Sequence, residues 1–316
     1  MNRVLVTGAT GFVGHRLYSQ LLHDEFDVVA AVRSKSNAGI GCEQVVVGAL
    51  GVDTDWKDAL TGVDYVIHTA ARVHVMKEDA ADPLVEFRRV NVDGTLKLAR
   101  QAVEAGVKRF IFISSIKVNG EDTVPAQPFT ADDSPNPTDP YAISKMEAEQ
   151  GLQLLAKETG IEVVIIRPPL VYGPGVKANF QSMMRWLDKG IPLPLGAIHN
   201  KRSLVAIDNL VDLIVTCIDH PAAANQTFLA GDGEDLSTTE LLQRMAKAMG
   251  KLSRLIPVPV KILELGATLL GKRAMAQRLC GSLQVDITKA RDVLGWIPPI
   301  SVDEGLRRAA AGWRKS

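Results

Sequence analysis

Cysteine is scarce: Cys42, Cys217 and Cys280 are the three in 316 residues, too scattered for a disulfide framework or a thiolate metal site. A reducing compartment is the simpler reading, and no metal is expected. Long hydrophobic runs are missing as well. The opening MNRVLVTGATGFVG lacks an apolar core followed by a cleavage site, and no run reaches bilayer-spanning length. A cytoplasmic protein without membrane insertion is expected. Nor is there an excess of either charge: 36 basic against 36 acidic residues leave no overall cationic field for nucleic acid or anionic lipid. The apolar run VPVKILELGATLLG is interrupted by Pro259 and Gly266 and has little basic character. It reads as a buried or oligomer-facing helix rather than a membrane-surface one.

What is present is regular in the first half. RVLVT, DVVAAV, QVVV, DYVIH, RFIFIS and EVVIIR are short β-rich runs, most of them apolar throughout, as in a parallel sheet covered on both faces. Helical patterns lie between them and supply right-handed crossovers. After Arg167 the texture changes to segments rich in Pro and Gly, then to helices and short strands without regular alternation. A boundary near residue 170 follows, with residues 1–170 forming one domain that also receives about 203–230, and 171–316 a smaller mixed α/β one.

Two local patterns carry chemistry. In VLVTGATGFVGHRL a strand is followed by Gly8, Gly11 and Gly14 and then a helix, which lets backbone amides around Phe12 and Val13 approach a pyrophosphate. The spacing is GxxGxxG rather than GxGxxG, and a plain tight strand-to-helix connection shares it. In SPNPTDPYAISKMEAEQ, Asp139 can cap and Pro140 suits a first helical position, so a helix begins near Tyr141 and runs to a glycine stop at Gly160. Tyr141 and Lys145, four apart, then share a face, either as a surface pair or as a reactive one.

TGATGFVG, HTAA, NVDGT, ISS and YAISK, followed by RPPLVYGPG, RSLVAIDNLVD and LGWIPP, occur in an order that resembles the extended short-chain dehydrogenase/reductase family. These are the nucleotide-sugar epimerases, dehydratases and reductases, and the resemblance covers essentially the whole chain. It implies a Rossmann-type doubly wound α/β sheet with a C-terminal substrate domain. Tyr141 is then the acid/base, Lys145 the ammonium that favours its phenolate and binds the nicotinamide ribose, and Ser115 the hydroxyl that holds the reacting oxygen. On the cofactor side the resemblance places Gly8, Gly11, Phe12, Val13, Gly14, Ser114 and Pro168. His68, Ala70 and Ala71 pass beside the adenosine and the nicotinamide ribose, with no proton-transfer role for His68, and Asn91 orients backbone.

Finer features narrow the reaction. Val32 stands where an NAD enzyme carries a carboxylate, followed by Arg33, Ser34 and Lys35, so Arg33 and Ser34 favour a 2′-phosphate and NADP(H) over NAD(H). Ala49 stands where family members often carry an Asp that reads the adenine. Dehydratases of the family carry an Asp-Glu pair where this chain has Ile116 and Lys117, which argues against dehydration. The resemblance gives the UDP-sugar to Asn179, Phe180 and Arg202, with Leu170 replacing a diphosphate-binding Asn. The expected activity is reduction of a UDP-4-keto-6-deoxy-N-acetylhexosamine at C4 for O-antigen sugars. The alternatives are a UDP-sugar 4-epimerase with retained NAD and a non-catalytic cofactor sensor. Relatives are often dimers through two helices on the sheet face, so a homodimer is a further expectation by resemblance.

Overall fold

The computed structural model describes residues 2–35, 41–73, 82–124, 126–271 and 273–313. Strands β1 (Arg3–Thr7), β2 (Asp27–Val32), β3 (Glu43–Val46), β4 (Tyr65–His68), β5 (Arg109–Ile113) and β6 (Glu162–Arg167) correspond to the six apolar runs. They pair in parallel in the order β3-β2-β1-β4-β5-β6, and a seventh strand, lying after two others in the chain, closes the row beside β6. Those two are β7 (Leu170–Tyr172) and β8 (Arg202–Ala206); the seventh member of the row is β9 (Thr227–Leu229). With β10 (Asp235–Leu236), β7 and β8 form a small second sheet in the order β10-β8-β7.

Helices cover both faces because the strands are apolar on both. Val4, Val6, Ile67, Ile111 and Val164 point to one face, where α1 (Phe12–His23) packs. Leu5, Val66, Phe110, Phe112, Val163 and Ile165 point to the other. There α2 (Lys57–Leu60) and, after the short α3 (Pro83–Arg88), α4 (Thr95–Glu104) and α5 (Pro140–Thr159) lie against the sheet. The period of two along each strand assigns each side chain to its face. The later helices are α6 (Ala178–Asp188), α7 (Ile207–Asp219), α8 (Thr238–Met249), α9 (Val260–Leu269), α10 (Arg273–Cys280), α11 (Thr288–Leu294) and α12 (Val302–Trp313). Of these, α7 joins the first face beside α1, whereas α6, α8 and α12 enclose a separate core with Tyr172 and Leu204.

The sheet reverses direction of growth between β1 and β4, and in such sheets the crevice at the strands' carboxyl ends receives the ligand. The glycine turn after β1 and the serines after β5 both lie at that edge. Helix α5 starts where the sequence places it: Asp139 accepts from the Ala142 amide at 2.7 Å, Pro140 is the first helical residue, and Gly160 ends it at φ 81°. Of the two readings of the apolar run 258–271, buried or oligomer-facing, the structure sets aside the buried one. Its helix α9 has no buried residue, because only Val260 and Leu263 lean on the core. No helix among the described residues is long and apolar enough to cross a membrane.

Candidate active site

The glycine turn is built for close approach. Gly8 sits at φ +70°, and a Cβ there would lie 2.7 Å from Thr69 Oγ1 and 2.8 Å from the Ala70 amide. A Cβ on Gly14 would lie 2.2 Å from the Gly8 carbonyl oxygen, so helix and strand meet without room for side chains. Gly11 caps α1 without a side-chain hydrogen bond. The amides of Phe12, Val13 and Gly14 therefore have no acceptor within the helix, and the dipole favours an anion in front of them. Nearby, at the carboxyl end of β5, the buried Ser114 hydroxyl has no hydrogen-bond partner. A cradle closed to Cβ atoms, open helix amides and an orphaned hydroxyl fit a dinucleotide.

Ser115, Tyr141 and Lys145 come together at the same edge. Ser115 caps a single turn, Ile116–Val118, and its hydroxyl is hydrogen-bonded to the Tyr141 phenol. Burial pushes that phenol up to about 12, Ser115 pulls it back, and the Asp139 carboxylate raises it further. Lys145 is buried and donates to the Ile113 carbonyl at 2.8 Å, with its ammonium 4.3 Å from the centre of the Phe112 ring. Burial lowers it to about 7, against an opposing pull from Glu149. The expected depression of the Tyr141 phenol by Lys145 is thus not built into the protein alone, because the ammonium is held by Ile113 and desolvation dominates both groups.

Sequence reasoning missed two supports of this site. Lys117 forms an ion pair with Asp139 and a second one with Glu121 at 3.0 Å, tying the Ser115 turn to the cap of the Tyr141 helix. Glu149, one turn beyond Lys145, forms a buried pair with Arg167 (Nη2–Oε2 2.5 Å), and Arg167 Nη1 donates to Asn119 Oδ1 at 2.9 Å. The signal for Glu149 is its spacing, eight residues after Tyr141 and four after Lys145 on one helix face.

Several of the expected residues are held by partners within the protein. The His68 ring is fully enclosed, with Nδ1 2.7 Å from Thr7 Oγ1 and Nε2 3.0 Å from Thr95 Oγ1. Burial, then Lys145, push its pKa down to about 3. Both ring nitrogens are engaged within the protein. Asn91 is buried and brackets Arg72, accepting from its amide at 2.8 Å and donating to its carbonyl at 3.0 Å. It holds the backbone of the loop after β4, in keeping with the backbone-orienting role expected of it. The Phe180 ring stacks on Tyr172 at 5.3 Å within the second core, leaving only its first-turn amide available.

The remaining candidates lie at the surface or the site edge. Asn179 is exposed in the first turn of α6, and Ala70 and Ala71 are partly exposed beside the glycine turn. The Pro168 carbonyl accepts from the Ile116 amide at 3.0 Å, fixing the Ser115 turn against the end of β6. Arg33 and Ser34 are exposed after β2. Arg202 donates Nη1 to the carbonyls of Arg278 and Gly281 at 3.0 and 3.1 Å. Burial lowers its pKa, and it has no ion pair among the described residues. No metal-binding cluster occurs among the described residues.

Fold and site together define a nucleotide-dependent oxidoreductase fold with a tyrosine–lysine–serine centre. The chain belongs to the NAD-dependent epimerase/dehydratase family, whose profile matches residues 4–231. It is 52% identical over 309 residues to a UDP-glucose 4-epimerase of Vibrio cholerae, covering 97% of this chain and 94% of that one. A UDP-glucose 4-epimerase of Mycolicibacterium smegmatis is 31% identical over 334 residues, covering 99% and 98%. Among solved structures, the UDP-glucuronic acid 4-epimerase from Bacillus cereus in complex with NAD superposes with a TM-score of 0.79 at 21% identity, covering 99% of each chain, which shows the fold. The chain is an enzyme of this family, which sets aside the non-catalytic sensor.

Proposed function

We propose that this enzyme is a UDP-sugar 4-epimerase that interconverts UDP-glucose and UDP-galactose with retained NAD. The observation that carries the choice is the 52% identity, over nearly the full length, to a UDP-glucose 4-epimerase in a chain whose Ser115, Tyr141 and Lys145 converge. The 4-keto reduction and NADP preference expected from Arg33 find no support in the relatives, and Arg33 itself is an exposed loop residue.

When bound, NAD supplies a reversible hydride acceptor at C4 and a positive ring that favours the phenolate. The chain's residues do the rest. Gly8, Gly11 and Gly14 give the pyrophosphate close access to the amides of α1, and Ser114 offers its unpartnered hydroxyl. Lys145 holds its ammonium beside the Ile113 carbonyl, on the cofactor side of the tyrosine. Tyr141 exchanges a proton with the sugar O4, and Ser115 orients that oxygen through the bond it already makes to the phenol. A phenol at about 12 is ionised in roughly one molecule in ten thousand at pH 8. With the Ser115 bond already in place, charge brought by the ligand is therefore required to make it a base.

Residues beyond about 170 would grip the nucleotide diphosphate. Arg202 is the best placed, since a half-buried guanidinium without an ion pair among the described residues suits an anionic ligand. The amides of Asn179 and Phe180 at the start of α6 complete the grip. With UDP-galactose as sole substrate and no added cofactor, the purified enzyme is expected to form UDP-glucose. Turnover that requires NADPH and a 4-keto sugar would overturn the proposal.

A further inference from the structure

Helix α9 and the segment before it expose aliphatic side chains in a run. Leu252, Ile256, Ile262, Leu265, Leu269 and Leu270 are 50 to 84% exposed. Spacings of three and four residues put Ile262, Leu265 and Leu269 on one side of the helix, while Val260 and Leu263 lean on the core from the other. Lys261, Glu264 and Thr268 occupy an exposed strip between these two sides, so the second apolar side is an addition to the one on the core and calls for a cover.

The charges around it state what kind. Among the described residues from 251 to 273, Arg254, Lys261 and Arg273 are basic and exposed against Glu264, while Lys251 is paired with Asp188 at 3.0 Å. This local excess stands out in a chain of zero net charge. A second copy seated on the same face by a two-fold axis would bring together two surfaces of the same net positive sign. At ten residues, α9 is about 15 Å long, too short to span a bilayer and suited to lie in its surface.

We propose that this face docks on an anionic lipid bilayer surface. Ile262, Leu265 and Leu269 enter the boundary between headgroups and acyl chains, and Lys261, Arg254 and Arg273 remain among the phosphates. The run itself has little basic character, and Arg254 and Arg273 flank it. The inference does not depend on the reaction at the Tyr141 site.

The test is co-sedimentation of the full chain with vesicles of phosphatidylcholine alone and of phosphatidylcholine and phosphatidylglycerol in equal parts. The expected result is binding at least about tenfold stronger to the anionic vesicles, weakened as salt rises well above 0.1 M, on the order of the concentration that screens beyond about 10 Å. Lys261→Glu should reduce it by about fivefold or more, and the double variant Leu265→Glu, Leu269→Glu should abolish it with the melting midpoint unchanged. Equal or absent binding to the two vesicle types would overturn the proposal. So would a dimer, seen by light scattering, that the double variant dissociates. A large drop in melting midpoint on substituting these exposed leucines would also overturn it, because the face would then be packed within the monomer.

Discussion

Asp139 pairs with Lys117 while standing two residues from Tyr141, whose phenol burial holds protonated and its carboxylate pushes further in the same direction. One side chain thus caps helix α5, anchors the Ser115 turn and opposes ionisation of the proposed base. Asp139→Asn keeps a capping residue but removes the charge. It should therefore shift the rising alkaline limb of the pH–rate profile to lower pH. Lys117→Ala leaves the Asp139 charge uncompensated and should shift that limb to higher pH. A pH–rate series on the three proteins checks both directions, and parallel shifts would contradict this electrostatic role.

Tyr141→Phe removes the proton-transfer oxygen alone. We expect a loss of about a hundredfold to ten-thousandfold in kcat, with cofactor and UDP affinity retained. Lys145→Ala should lose both, because the buried ammonium is assigned to the cofactor side as well as to the electrostatics of the phenol. Single-turnover rates and cofactor titration distinguish the two patterns.

His68 makes an acid-stability prediction. Its native pKa is about 3 and its ordinary value 6.5, so the unfolded chain takes up a proton that the native chain refuses. The stability this represents is complete above about 6.5 and lost as pH falls towards about 3, at up to roughly 1.4 kcal/mol per pH unit. His68→Gln should show a shallower fall of melting midpoint between neutral and acid pH than the parent. Identical slopes would mean that the buried ring does not stay neutral.

Phe180 and Arg202, both expected to touch the sugar nucleotide, should separate. Phe180→Ala empties part of the second core and should cost about 3–5 kcal/mol of stability. Arg202→Lys preserves charge but loses the planar fork, so it should raise KM for the UDP-sugar with a smaller effect on melting. Urea unfolding and steady-state kinetics on both variants measure the contrast.

The elements that local rules govern were legible in the sequence. Asp139, Pro140 and Gly160 bounded α5 to within a residue, and strands apolar on both faces announced the covered parallel sheet. The convergence of Ser115 with Tyr141 was anticipated through family resemblance. What was hidden depends on direction and distance across the fold. His68 and Phe180 bear suitable types at suitable positions, yet strand and helix geometry turn one towards Thr7 and Thr95 and the other towards Tyr172. Lys117 was read only as the absence of an acidic residue, because its partner Asp139 lies twenty-two positions away. The phenol's raised pKa follows from burial, which no motif encodes.

Retention of hydride within one sugar is the central claim, and isotope transfer tests it most directly. UDP-galactose deuterated at C4, converted by the purified enzyme without added cofactor, should yield UDP-glucose carrying the deuterium at C4. The same result is expected for Arg33→Ala, whose guanidinium is exposed after β2. Loss of the label to solvent or to added NADP, or conversion that stops without NADPH, would contradict the account.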